Sequence, residues 1–152
     1  MADYIKLLDV TEQNAEEIAE HWAMDVQKNK RTTHYQNLTK EKLIVYAVDF
    51  YRNLRNLITA DNRFEITQKY FQKYAKKCHE NRLPLHEAIY GLVLMRRHMW
   101  LYADFQAIFI DALEHHQAID STMRIMLMMD YAVYEITQYY LDRMPEESKK
   151  KS

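Results

Sequence analysis

Glycine and proline are almost missing from this chain, which has one Gly and two Pro among its 152 residues. Hairpin turns rely on Gly, Asn and Asp to reach positive φ angles, so a fold rich in β-strands would be difficult to build from this composition. The scarcity of both residues therefore predicts an all-helical protein. The length suits a single domain, because a domain of about 150 residues buries roughly 70% of its unfolded surface.

Four further absences reduce the number of possible function classes. The formal net charge is −1, so the chain lacks the excess of Lys and Arg that neutralises nucleic-acid phosphates. Cys78 is the only cysteine, which excludes an internal disulfide, and the first residues lack the basic start and apolar stretch of a signal peptide. No uninterrupted apolar run approaches the roughly 20 residues that a membrane span requires. We therefore expect a cytoplasmic protein that binds neither nucleic acid nor membranes.

Apolar residues recur at helical spacing in five segments that carry recognisable start or stop signals. After a lead-in over 1–10, we predict helices over about 12–30, 40–59, 63–81, 84–116 and 121–144, followed by a disordered charged tail over 145–152. Thr11 and Thr39 are the predicted N-caps of the first two helices. Residues 11–144 then form one helical bundle, in which the last two helices make a long antiparallel hairpin. Periodicity leaves open whether the helices pack as a bundle or cross as in a globin.

Charged residues interrupt the apolar pattern of the last two helices. Arg96 and Arg97 lie within an apolar stretch, and Asp130 lies on an apolar line of the final helix. That line consists of Met123, Leu127, Asp130, Tyr134, Thr137 and Leu141. A carboxylate in such a place is rarely left unpaired, because an uncompensated buried charge costs several kcal/mol. We predict that Asp130 pairs with Arg96 or Arg97 and fixes the helix register; a hydrated edge position and a ligand anchor are the alternatives.

Gly91 lies in the middle of the predicted fourth helix. Glycine there costs close to 1 kcal/mol relative to Ala, which suggests that something uses the missing side chain. We predict the close approach of another helix, within the domain or in a dimer, with a ligand pocket or simple tolerance as alternatives.

Recognisable catalytic patterns are missing from the chain. There is no nucleophile beside a base, no defined carboxylate pair and no Gly-rich phosphate loop, so we predict that the protein is not an enzyme. His115 and His116 lie near Asp120 as in half of a di-iron pattern, but no second half exists. His79, His86 and His98 could be haem ligands in a globin-like fold, but no separate short helix remains to present a proximal His. We expect no metal and no cofactor, with the His residues solvated or hydrogen-bonded.

Four phrases of the sequence resemble one protein family. These are IAEHWAMDV, LTKEKL, LPLHEAIYGLVLMRRHMW and MMDYAVYEITQYY, which lie between Ala15 and Met144. Together they resemble the N-terminal domain of the RsbRD co-antagonists of the bacterial stress-signalling RsbT kinase. The resemblance marks the following pattern residues: Trp22, Leu85, Glu87, Arg96, Trp100 and Asp130.

The resemblance implies an all-helical input domain of bacterial stress signalling that self-associates and passes a signal to a protein partner. The co-antagonists carry a phosphorylatable output domain after this module, and none follows Met144 in the sequence, so we expect the output to be made in trans. Our first interpretation is a non-catalytic sensor or interaction domain that forms a homodimer through the helical hairpin. The alternative is a helical carrier or sensor that binds a small molecule or haem between its helices.

Overall fold

A computed structural model describes residues 5–105 and 112–144, and this part of the chain is helical without strands. Its six α-helices are α1 (Ile5–Gln13), α2 (Ala15–Lys28), α3 (Lys40–Thr59), α4 (Arg63–Glu80), α5 (Leu85–Phe105) and α6 (Ala112–Asp142). A short 3₁₀ helix, Thr33–Asn37, joins α2 to α3. The all-helical prediction is therefore confirmed for the described residues. None of these helices is long and apolar enough to cross a membrane.

The core forms where α2 packs against α3 and α5, and where α4 packs against α6. The apolar residues that recur at helical spacing along α2 face inward, since all five of them are buried: Ala15, Ile18, Ala19, Trp22 and Val26. Aromatic side chains fill much of the interior, and the largest that are fully buried are Trp22, Tyr35, Phe50, Tyr51 and Phe71. Buried rings of this size supply much of the apolar area that stabilises a small domain.

The N-terminal prediction is wrong in one respect, because the predicted lead-in is largely a helix. Leu7 and Leu8 in α1 are each only 1% exposed and belong to the core. Thr11 is not an N-cap, since it lies inside α1 and its Oγ1 donates a hydrogen bond to the Leu7 carbonyl at 2.8 Å. Residues 5–28, which were predicted as part of a lead-in and a single helix, thus form two helices that meet at Asn14.

The predicted start of α3 is confirmed. Thr39 has an extended backbone and its Oγ1 accepts the Lys42 N–H at 3.2 Å, as an N-cap side chain does. The chain leaves α4 through Arg82, whose φ of 60° is the only positive value among the described non-glycine residues. The Arg82 N–H bonds to the His79 carbonyl and the Leu83 N–H to the Cys78 carbonyl, each at 3.0 Å. This pair of bonds is a Schellman motif, which turns the chain from α4 into Pro84 and α5.

The last two helices differ from the predicted hairpin in their bounds. The helix that begins after Pro84 is described to Phe105, and α6 is described from Ala112, nine residues before the predicted start of the last helix at 121. Residues 106–111, which belong to the predicted fourth helix, lie outside the described part of the chain, as do the predicted tail over 145–152 and residues 1–4. The main packing partner of α6 is α4, and its contact with α5 is smaller.

Helix α6 carries apolar residues on two faces. The inward face consists of Ile125, Met128, Met129, Ala132 and Ile136, all of which are buried. The line predicted from the sequence, which includes Met123, Leu127, Asp130 and Tyr134, is instead exposed. Both lines follow helical spacing, so periodicity alone could not decide which of them faces the core.

Candidate functional site

A cluster of polar and aromatic groups lies where α2, the 3₁₀ helix and the start of α5 meet. Trp22 on α2 is fully buried, and its Nε1–H donates to the Gly91 carbonyl of α5 at 2.8 Å. The Tyr35 ring stands edge-on to the Trp22 ring, with centroids 5.9 Å apart and planes at 88°. The cluster thus ties three elements together through one indole.

Gly91 provides the space that Tyr35 occupies. A Cβ added to Gly91 would overlap the Tyr35 hydroxyl oxygen and lie 2.8 Å from Tyr35 Cζ. The hydroxyl donates to the Glu87 carbonyl, one turn earlier on α5, at 3.3 Å. The predicted close approach at Gly91 is therefore present within the domain, and the approaching group is an aromatic side chain of the 3₁₀ helix.

Glu87 is a buried carboxylate, only 2% exposed, in the first turn of α5. Its Oε1 accepts the backbone N–H of His34 at 2.9 Å, and its Oε2 accepts from His34 Nδ1. A carboxylate can only accept, so this contact places a proton on His34 Nδ1 and leaves Nε2 available. His86 Nε2 lies 3.9 Å from Oε2. A buried carboxylate is costly unless it is paired, so the contact with His34 stabilises Glu87. The same contact holds the 3₁₀ helix, which carries His34, against α5.

An open cleft of about 470 Å³ adjoins the Glu87 and His34 pair. We call it the basic cleft; its lining residues are Lys30, Arg31, Thr33, His34, His86, Glu87 and Tyr90. Of the described residues that line it, Glu87 is the only carboxylate. The volume falls within the roughly 300 to 1,000 Å³ typical of small-molecule sites.

A second histidine–carboxylate pair joins the same helices further along. His98 Nε2 on α5 lies 2.7 Å from Asp25 Oδ2 on α2, and both side chains are partly buried. Asn29 Nδ2 donates to the other Asp25 oxygen at 3.3 Å. Helices α2 and α5 are therefore linked at two levels, by His98 and by Trp22.

Burial favours the neutral forms of two tyrosines and the cysteine near this cluster. Desolvation raises the pKa of Tyr35 and of Tyr74 well above the ordinary value for tyrosine. It also raises the pKa of the Cys78 thiol to about 12. A thiol in such an environment is a poor nucleophile, because the thiolate is the reactive form.

The structure brings together three of the residues singled out from the sequence, Trp22, Glu87 and Gly91. Leu85 packs against the core one turn before Ala88, at the start of the same helix. Trp100 is partly buried against the core near the far end of α5. Sequence reasoning missed His34 and Tyr35, because their partners on α5 are more than 50 positions away and no local pattern marks the contact.

The predicted ion pair of Asp130 with Arg96 or Arg97 is wrong. Asp130 is exposed on α6, Arg97 is exposed on α5, and neither arginine forms an ion pair with Asp130 in the described part of the chain. The physical reason is that Asp130 belongs to the solvent-facing line of α6, where a carboxylate is hydrated and needs no partner.

The histidines considered as ligands lie in different surroundings. His79 is exposed, with its ring 5.3 Å from the Tyr140 ring, His86 is beside Glu87, and His98 is paired with Asp25. Asp120 accepts from Arg124 Nε at 3.1 Å, His116 is exposed, and the His115 side chain lies outside the described residues. Within that described part, no group of three or more His, Cys, Asp or Glu side chains is placed to hold a metal ion.

The outward line of α6 makes an exposed apolar surface, which we call the α6 outer face. It consists of Ile119, Met123, Met126, Leu127, Tyr131, Tyr134 and Leu141, each between 39% and 65% exposed. Tyr131 packs edge-on against Phe64 of α4, with ring centroids 5.1 Å apart, so the surface continues onto the neighbouring helix. Contiguous apolar patches larger than a few hundred Å² are rare on monomers and mark interaction sites.

Comparisons of the chain with protein-family models, with curated proteins and with solved structures find no match.

Proposed function

We propose that the protein is a non-catalytic signalling domain that works through protein–protein contacts, and that it forms a homodimer through the α6 outer face. The observation that carries the proposal is the exposure of large apolar side chains along most of α6. Seven such residues, each about half exposed, present on the order of 700 Å². That is close to the roughly 800 Å² that each partner contributes to a standard interface.

The charges beside this face favour a second copy of the chain as its occupant. Arg124 and Asp130 are exposed on either side of Leu127, so the face carries both signs. The whole chain has a net charge of only −1, and two copies therefore meet without strong repulsion. Two-fold symmetric pairing also places the same apolar residues on both sides of the interface. Exposed methionines suit such a surface, because their flexible side chains adapt to the partner.

The signalling role is supported by the resemblance to the RsbRD N-terminal domain. Two of its pattern residues, Trp22 and Glu87, belong to the contacts that join α2, the 3₁₀ helix and α5. In this proposal a stimulus changes those contacts, and the dimer passes the change to a protein partner in a bacterial stress pathway.

Replacing Met123 and Tyr134 with Glu tests the homodimer. Four charges would then enter the apolar interface of the dimer, and we expect the dissociation constant to rise at least about 100-fold. Sedimentation equilibrium should give twice the 18.5 kDa chain mass for the wild type and a single chain mass for the double variant. Val45→Glu, on the equally exposed α3 surface, is the matched control and should stay dimeric. A wild-type protein that remains monomeric at high micromolar concentration would contradict the proposal.

The same variants test the signalling role in the cell. If the homodimer transmits the signal, the transcriptional changes caused by deleting the gene should also appear with the Met123 and Tyr134 double variant. Val45→Glu should behave like the wild type. A double variant that is monomeric and yet gives the wild-type transcript pattern would show that α6 does not carry the signal.

The alternative function, binding of a small molecule or haem, is favoured by one observation, the basic cleft with its ligand-sized volume. An absorption spectrum of the purified protein separates the two kinds of ligand, because bound haem gives a Soret band.

A further inference from the structure

We propose that the basic cleft binds a small soluble molecule that carries a phosphate group or a comparable dianion. The first support is the balance of charge. Lys30 and Arg31 are basic residues, and neither side chain forms an ion pair with any described residue. They outnumber the one carboxylate of the cleft, which His34 already engages. Among the described residues, no carboxylate pairs with these two basic side chains, so they can bind an anionic ligand.

The second support is the orientation of His34. Its Nδ1 and backbone N–H are both held by Glu87, which is buried and fixed in the first turn of α5. The imidazole is half exposed at 49% and lines the cleft. A carboxylate that holds one ring nitrogen fixes the orientation of the other, as it does for histidines that bind ligands or metals. The Nε2 atom of His34 is thereby held in position, and in the imidazolium form of the ring it donates to a phosphate oxygen.

The third support is the set of donors around these groups. His86 is 78% exposed at the same cleft, so its imidazole can turn toward a ligand. Thr33 contributes a hydroxyl group. Tyr90 is partly buried, and its hydroxyl makes no hydrogen bond within the described part of the chain. Cations together with neutral donors suit a phosphate, whose oxygens accept several charge-assisted hydrogen bonds. The Tyr90 ring offers an apolar surface to the organic part of the ligand.

The cleft also lies beside the contacts that hold α2 and α5 together. Glu87 and Gly91 are one turn apart on α5, and Tyr35 contacts both. A ligand that engages His34 therefore acts on the 3₁₀ helix that carries Tyr35. Binding itself does not depend on the homodimer, but the role of the ligand as a stimulus rests on the proposed function.

Titration with inorganic phosphate at low ionic strength tests the site. We expect saturable binding to the wild type by calorimetry, with chemical-shift changes at the His34 and His86 imidazoles and none at His116. Arg31→Gln should raise the dissociation constant about tenfold, because one charge-assisted hydrogen bond is lost. Lys30→Gln combined with Arg31→Gln should abolish measurable binding. Both residues are exposed, so these variants should keep the wild-type fold, which circular dichroism checks.

Lys73→Gln combined with Lys76→Gln on α4 is the matched control, since it removes the same charge from another exposed surface. If this control weakened phosphate binding equally, or if the wild type bound phosphate without saturation, the proposed site would be wrong.

Vesicles containing phosphatidic acid distinguish a lipid headgroup from a soluble ligand. Co-sedimentation that depends on Lys30 and Arg31 would overturn the assignment to a soluble molecule. Phosphate binding by the monomeric Met123 and Tyr134 variant separates the site from the proposed dimer, because it should persist there.

Discussion

At the scale of single residues, Gly91 lies at a position in the interior that has no free space for a side chain. The Tyr35 hydroxyl occupies the space of a Cβ, and the Gly91 carbonyl accepts the Trp22 N–H. Gly91→Ala should destabilise the protein by about 1 to 3 kcal/mol, since overpacking outweighs the better helix propensity of alanine. Urea denaturation would measure the change in the free energy of unfolding.

The control for this prediction is a double-mutant cycle with Tyr35→Phe, which removes the hydroxyl that the new Cβ would meet. Gly91→Ala should cost less in the Tyr35→Phe background than in the wild type. If Gly91→Ala instead stabilised the protein by about 1 kcal/mol, as at an unconstrained helix position, the close packing would be disproved.

Sequence reasoning predicted the close approach at Gly91 but not the identity of the neighbour. A mid-helix glycine in a chain with one glycine is a local signal that can be recognised without coordinates. The partnership of Glu87 with His34 gives no such signal, because it joins residues 53 positions apart. The contacts of Glu87 with His34 and of His98 with Asp25 join residues that are far apart in the sequence. Residue spacing within a helix therefore could not predict them.

At the scale of elements, the turn from α4 to α5 contains a strained residue. Arg82 has a φ of 60°, a left-handed conformation that costs a residue with a Cβ roughly 1 to 2 kcal/mol. Arg82→Gly should therefore stabilise the protein by about 1 kcal/mol, because glycine adopts this conformation readily. A melting temperature higher by about 2 to 4 °C is the expected result for a domain of this size.

Arg82→Ala is the matched control for that turn. It removes the same side chain but keeps the Cβ, so the strain remains and the melting temperature should not rise. Equal stabilisation by alanine and glycine would mean that the arginine side chain, and not the backbone, is the unfavourable part.

The helices that could be predicted well were those with a single apolar stripe and clear caps. Thr39 and the stripe from Leu43 to Leu57 identify α3 to within one residue, and the α2 stripe around Trp22 is buried as expected. Helix α1 was missed because it is short and because Thr11 followed by Glu12, Glu16 and Glu17 resembles the start of a helix. The α6 orientation was wrong because two apolar lines compete on one helix, and only the packing of α4 decides between them.

At the scale of the whole molecule, the tyrosine-rich interior predicts a loss of stability at alkaline pH. Burial raises the pKa of Cys78 to about 12 and those of Tyr35, Tyr51 and Tyr74 well above the ordinary value. The folded protein therefore keeps protons that the unfolded chain releases at about pH 8.5 for Cys and about 10 for Tyr. The free energy of unfolding should be independent of these groups below about pH 8 and fall above it.

Cys78→Ala isolates the contribution of the thiol. Between about pH 9 and 10 the free energy of unfolding should fall with pH in both proteins, and the slope should be steeper for the wild type by about 1.4 kcal/mol per pH unit. The reason is that unfolding of the variant releases one proton fewer. Urea titrations across this range give both slopes. Identical slopes would show that the thiol ionises as easily in the folded protein as in the unfolded chain.

Trp22 is buried and donates a hydrogen bond to α5, and its burial also determines its fluorescence. Indole emission shifts toward the blue in apolar surroundings, and the Trp22 ring is fully enclosed while the Trp100 ring is only partly covered. The two tryptophans of the chain therefore emit from different environments. Because the Trp22 N–H is bonded across to α5, any separation of α2 from α5 changes its emission. The native fluorescence thus follows the opening of the interior without an added label.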